Sequence, residues 1–143
     1  MHTYRYKAKV IKIIDGDSIR MDVDLGFGCH LLGNDGRGVN IRLYGLDTAE
    51  VRTRCPAEKA HGLLAKTCVE EHLKVGETYQ ITTRERGKFG RYLATIKLKG
   101  KRGTINDLLI KLLLAVPYHG ENRTALRKLH EKNRVKLRQM GSL

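Results

Sequence analysis

The chain predicts an α+β protein: a five-stranded Greek-key β-barrel of the OB-fold type with about three helices. Three observations lead there. Residues before Gly45 alternate apolar and polar side chains with a period of two. After Pro56 the apolar residues recur at spacings of three and four. Two more strand-like segments then precede two helical ones. Three strands, a helix and two strands is the OB order, although the same short strands could also form an open α+β sheet. The 143 residues suit a single domain spanning 1–143, with a barrel over about 4–100 and C-terminal helices over about 104–139.

Residues 6–14 are rich in β-branched side chains and read as the first strand. Asp15, Gly16 and Asp17 mark a turn. Ile19, Met21, Val23 and Leu25 then alternate with Arg20, Asp22 and Asp24, giving a second strand with one buried face. The glycine-rich segment 33–38 is followed by no helix, so a hairpin connection is expected rather than a phosphate cradle. Val39, Ile41 and Leu43 alternate as a third strand. Residues 57–73 form an amphipathic helix whose apolar positions include Cys68. Strands are expected over 78–83 and 92–98, a largely buried helix over 105–115, and a basic helix over about 122–138 with Leu126, Leu129 and Leu137 on one side.

Charge is unevenly spread. The net charge is +13, with 28 Lys and Arg against 15 Asp and Glu. Residues 1–83 hold 12 basic and 11 acidic side chains, whereas 84–143 hold 16 and 4. The second part supplies the attraction for a polyanion. The acids of the first part would only repel one, so those outside turns and solvated strand faces need another purpose. No apolar run approaches the roughly 18 residues of a membrane span. Met1 to Arg5 lacks the pattern of a signal peptide, so the protein is expected in the cytoplasm, without a membrane partner and as a monomer. Three widely spaced cysteines (Cys29, Cys55 and Cys68) support neither a disulfide framework nor a zinc site.

Four segments carry the chemistry: Ile14-Asp15-Gly16-Asp17-Ser18, the stretch 41–50 with Arg42, Asp47, Thr48 and Glu50, Gly87-Lys88-Phe89-Gly90-Arg91, and the stretch 115–120 with Pro117, Tyr118 and His119. In order and spacing they resemble the staphylococcal-type thermonuclease family, over roughly residues 7–137. The Asp-Leu-Gly-Phe-Gly hairpin and the Val-Pro-Tyr-His-Gly stretch are similar to its phage-encoded and bacterial branch. That resemblance implies a metal-dependent phosphodiesterase that cleaves DNA and RNA with little sequence specificity and leaves 3′-phosphate ends.

The residue chemistry is compatible with that reading. Asp17 and Asp47 are hard carboxylates of the kind that suit Ca²⁺ or Mg²⁺. The resemblance makes them metal ligands together with the Thr48 carbonyl, with Ca²⁺ as the metal and Mg²⁺ or Mn²⁺ as alternatives. Glu50 is implied to position or deprotonate the attacking water, a role that geometry must decide. Arg42 and Arg91 are implied as the phosphate clamps, since a guanidinium fork matches two phosphoryl oxygens. Arg42 lies on a strand facing away from Ile41 and Leu43. Lys88, Phe89 and Tyr118 match the nucleotide pocket, where stacking on an aromatic ring tolerates any base. Phe89 replaces the usual tyrosine, and His119 is assigned a simple loop role. Ala49 replaces the proline of the family's Asp-Thr-Pro-Glu, which relaxes the backbone and predicts weaker metal affinity. Arg52, Arg54 and Cys55 are expected to form a basic loop over the site. The rival readings are an OB-type nucleic-acid-binding module without catalysis and a basic structural protein of a nucleoprotein particle.

Overall fold

The first strand, β1 (Tyr4–Asp15), is long enough to serve both sides of a closed barrel. The computed structural model describes residues 2–87 and 90–143. The first half of β1 pairs antiparallel with β6 (Thr78–Thr83), and its second half pairs with β2 (Ser18–Gly26). Register shifts between Val10 and Lys12 and between Ile13 and Asp15 bend the strand between those partners. β2 continues to β4 (Val39–Leu43). β4 runs parallel to β7 (Tyr92–Ile96), and β7 returns antiparallel to β6, closing a five-stranded mixed barrel.

The core follows from the alternation. Ile19, Met21, Ile41, Leu43, Ile81 and Ile96 point inward and are almost wholly buried. Helix α1 (Pro56–His72) fills one end of the barrel with Ala65, Cys68 and Val69. Helix α2 (Ile105–Lys111) packs Ile105 and Leu109 into the same core. Asn106 is buried among them. Its side-chain amide donates to the carbonyls of Tyr44 and Ala94 at 3.0 and 3.2 Å, and its oxygen accepts from Ile96 N–H at 3.2 Å. Asn106, which with Asp107 and Lys111 interrupts the apolar-rich stretch 105–116, therefore pins the turn after β4.

Three short strands were not expected: β3 (Cys29–Leu31), β5 (Leu46–Thr48) and β8 (Ala115–Pro117). β3 extends the hairpin of β2, while β5 and β8 pair antiparallel beside the barrel. The helix expected over 105–115 stops at Lys111 because Leu113 takes a left-handed φ of 64° and the chain turns into β8. The last helix, α3 (Arg123–Gln139), begins after Asn122, whose side chain accepts from Ala125 N–H at 2.9 Å as an N-cap. Its buried face is Leu126, His130, Arg134 and Leu137, whereas the expected Leu129 is 37% exposed. Among the described residues no helix is long and apolar enough to cross a membrane, and all three cysteines are free.

Candidate functional site

Two close approaches of α1 shape the acid-bearing segments. A Cβ on Gly16 would stand 2.7 Å from the Cβ of Ala65, so only glycine lets the Asp15-to-Asp17 turn lie against the helix. A Cβ on Gly62 would stand 2.6 Å from the Ala49 carbonyl oxygen, so a glycine inside α1 admits the segment that carries Glu50. The same helix thus backs both the first turn and the strand end that holds the remaining acids.

Register then brings the acids together. Ser18 lies opposite Arg42, and Leu43 N–H donates to the Asp17 carbonyl at 2.9 Å. The turn at Tyr44 and Gly45 sends the chain into β5, which presents Asp47 and Thr48. The Arg42 guanidinium spans both carboxylates, with Nη1 at 3.3 Å from Asp17 Oδ2 and Nη2 at 3.2 Å from Asp47 Oδ1. The second oxygen of Asp47 is 2.9 Å from His130 Nε2 on α3. Thr48 contributes a backbone hydrogen bond to Asp17.

Burial pushes the Asp17 carboxyl above the usual carboxylate range, opposed by Arg42 and reinforced by Asp47 and Asp15. Glu50 stands at the rim of the cleft. Partial burial, then the charges of Asp17, Asp47 and Asp15, push it upward too, against the pull of Arg123. A set of mutually repelling acids with one arginine among them is a local negative centre in a strongly cationic protein.

These groups line or underlie one cleft of about 850 Å³. Arg42, Asp47, Thr48, Glu50, Arg91 and Tyr118 all line it, and Asp17 sits behind Arg42. Arg91 is exposed in the loop before β7, which is closed by Gly87 N–H donating to the Arg91 carbonyl at 2.8 Å. Tyr118 follows β8 and is fixed by its N–H donating to the Gly45 carbonyl at 2.9 Å. His119 lies edge-on to Tyr44 at 6.2 Å between ring centroids, and it too lines the cleft. Lys88 and Phe89 lie outside the described residues. Arg52, Arg54 and Cys55 do not line the cleft, contrary to the expectation of a covering loop. Thr53 instead donates to Glu58 Oε2 at 2.8 Å at the start of α1.

The opposite wall was not anticipated. Arg123, Arg127, His130 and Arg134 line the cleft from α3. Their spacing of four, three and four places them on one face of a helix, and that periodicity was present in the sequence. It passes unnoticed because a basic helix face ordinarily reads as solvated surface.

The donor set admits a hard cation. Asp17 and Asp47 converge on one guanidinium, and both offer carboxylate oxygens, the donors Ca²⁺ and Mg²⁺ prefer, while His130 Nε2 is hydrogen-bonded to Asp47. Among the described residues no third His, Cys, Asp or Glu joins them to complete a cluster of three. A metal there would therefore draw its other ligands from main-chain oxygen and water.

A family model described as staphylococcal nuclease homologue matches residues 40–140 of the chain. No curated protein matches it significantly. The matched span begins beyond Asp17, which joins the site through its ion pair with Arg42.

Proposed function

The chain belongs to the staphylococcal nuclease homologue family, and from that premise we propose that its cleft hydrolyses phosphodiester bonds of DNA and RNA in a Ca²⁺-dependent reaction that leaves 3′-phosphate ends. The observation that carries this reading is the convergence of Asp17, Arg42 and Asp47 beside a cleft that Glu50 and Arg91 also line. A binding module would have no use for three acids placed where a phosphate must enter.

Asp17, Asp47 and the Thr48 carbonyl would hold the metal. When bound, Ca²⁺ supplies Lewis-acid polarisation of a phosphoryl oxygen and offsets developing negative charge. Glu50 holds the nucleophilic water and takes its proton. Its place at the rim of the cleft, three residues after Asp47, lets it reach a water beside the metal ligands. Arg42 and Arg91 donate to the non-bridging oxygens, whose charge grows as water adds in line and the bond from phosphorus to the 5′-oxygen breaks, the 5′-oxygen taking a proton from solvent water to leave as a hydroxyl. Tyr118 offers a ring for an adjacent base, which fits low sequence preference.

The test is the Ca²⁺-dependent loss of supercoiled plasmid and of single-stranded DNA and RNA. Cleavage that stops on adding EGTA and in Glu50→Gln is the expected result. Binding without cleavage, with Ca²⁺, Mg²⁺ or Mn²⁺ present, would replace the nuclease by the binding module.

A further inference from the structure

Arg134 is a cation without a counter-ion. It is 6% exposed and lines the cleft, yet among the described residues no carboxylate lies within ion-pair reach of it. Its Nη1 is enclosed and makes no hydrogen bond. An enclosed, unpaired guanidinium is costly, and native structures hold such a group where something else supplies its partner. Asp47, across the cleft, is already engaged by Arg42 and His130.

The geometry points to a second phosphate-binding stripe on α3, built by Arg134 at its inner end with Arg127 and Arg123 leading outward, which takes the backbone phosphates of the nucleic-acid strand beyond the linkage being cut. This rests on the cleft being the nucleic-acid site. Three features select the ligand. The cleft-lining cations of α3 are all arginines, whereas Lys128, Lys132 and Lys136 of the same helix lie off the cleft. A lysine would serve for diffuse attraction, but a planar fork suits two oxygens of one phosphate. The stripe from Arg123 to Arg134 covers about 16 Å of helix, longer than one phosphate needs. The cleft also runs unbroken from Arg91 and Arg42 to Arg134, so one strand can touch both ends.

The experiment is binding of 5′-fluorescein-labelled single-stranded DNA by anisotropy, in EGTA so that nothing is cut, over a series of KCl concentrations. A dinucleotide with one linkage is compared with a tetranucleotide, the latter with and without a 3′-phosphate. For single strands the slope of log K on log salt is about 0.7 per phosphate neutralised. The Arg123→Ala/Arg127→Ala double variant alters only exposed side chains. It is expected to lower the tetranucleotide slope by about 1.4, two such contacts, and to leave the dinucleotide unchanged. Arg134→Met is expected to weaken tetranucleotide binding with no fall in melting temperature, a pair of readouts that a purely structural arginine would not give. Should that variant fail to fold, Arg134 is structural and its part in the site falls, while the double variant still decides the outer arginines.

An unchanged slope, an equal loss on the dinucleotide, or a loss confined to the 3′-phosphorylated strand would each overturn the proposal. Normal binding by these variants in a protein that cleaves DNA would sink this inference alone. Weakened binding by them in a protein that cleaves nothing would sink the nuclease reading alone.

Discussion

The two walls of the cleft treat charge in opposite ways. On the barrel wall Arg42 is shared between Asp17 and Asp47, and Asp47 is held again by His130. On the α3 wall Arg123, Arg127 and Arg134 have no acid paired to them among the described residues, and Arg134 is buried as well. The first wall is an internally paired electrostatic unit with more acid than base. The second is left open, as a surface for binding anions is. The net charge of +13 conceals that division, because it sums over both walls.

The division can be broken most severely at Arg42. Arg42→Ala leaves the buried Asp17 carboxylate facing the half-buried Asp47, which should destabilise the protein by about 3 kcal/mol in thermal or urea unfolding. It also removes a phosphate donor, and a loss of roughly 10²- to 10³-fold in cleavage rate is expected. Full activity in that variant would detach the chemistry from the barrel wall.

Gly62→Ala tests whether α1 sets the position of the acids. Alanine is favoured in a helix by about 1 kcal/mol, yet its Cβ would meet the Ala49 carbonyl at 2.6 Å. The expected outcome is net destabilisation of about 1–3 kcal/mol and reduced cleavage. A more stable and equally active variant would mean that the segment moves freely.

Arg134→Met should have the opposite sign. Replacing an unpaired buried charge by a side chain of similar volume is expected to raise stability by about 1 kcal/mol or more. The same exchange on the barrel wall would lower it.

Asp17→Asn sharpens the contrast through pH. The Asp17 carboxyl binds its proton more tightly folded than unfolded, chiefly from burial. Its contribution to stability is therefore present below the ordinary carboxylate range and lost as pH rises through its raised folded value. In EGTA the variant should melt above the native protein at about pH 7, and the gap should close toward about pH 4. A gap that widens on acidification would reverse the sign assigned to that carboxyl.

Much of this arrangement could be read from residue order. The five barrel strands and α1 follow from changes of period, and Arg42 was expected to face away from Ile41 and Leu43, as it does. What escaped has physical causes. β5 and β8 are three residues each, too short to show a period, and β8 lies within an apolar run that continues α2. The left-handed turn at Leu113 is imposed by tertiary structure, with its carbonyl accepting from His61 Nε2 at 2.9 Å. His130 and Arg134 stayed hidden because a histidine and an arginine on the buried side of a basic helix contradict the rule that such residues face water. They are on that side because the cleft, and not the core, receives them.

On the proposed reading the barrel wall performs the chemistry and α3 holds the strand. Single-turnover cleavage of a single-stranded oligonucleotide in Ca²⁺, followed against protein concentration for Glu50→Gln and for Arg123→Ala/Arg127→Ala, tests it directly. Glu50→Gln should lower the maximal rate by roughly 10²-fold or more while half-saturation stays near its native value. The double arginine variant should shift half-saturation upward, with a far smaller effect on the maximal rate. The reverse pattern, or equal effects of both variants on both quantities, would contradict that reading.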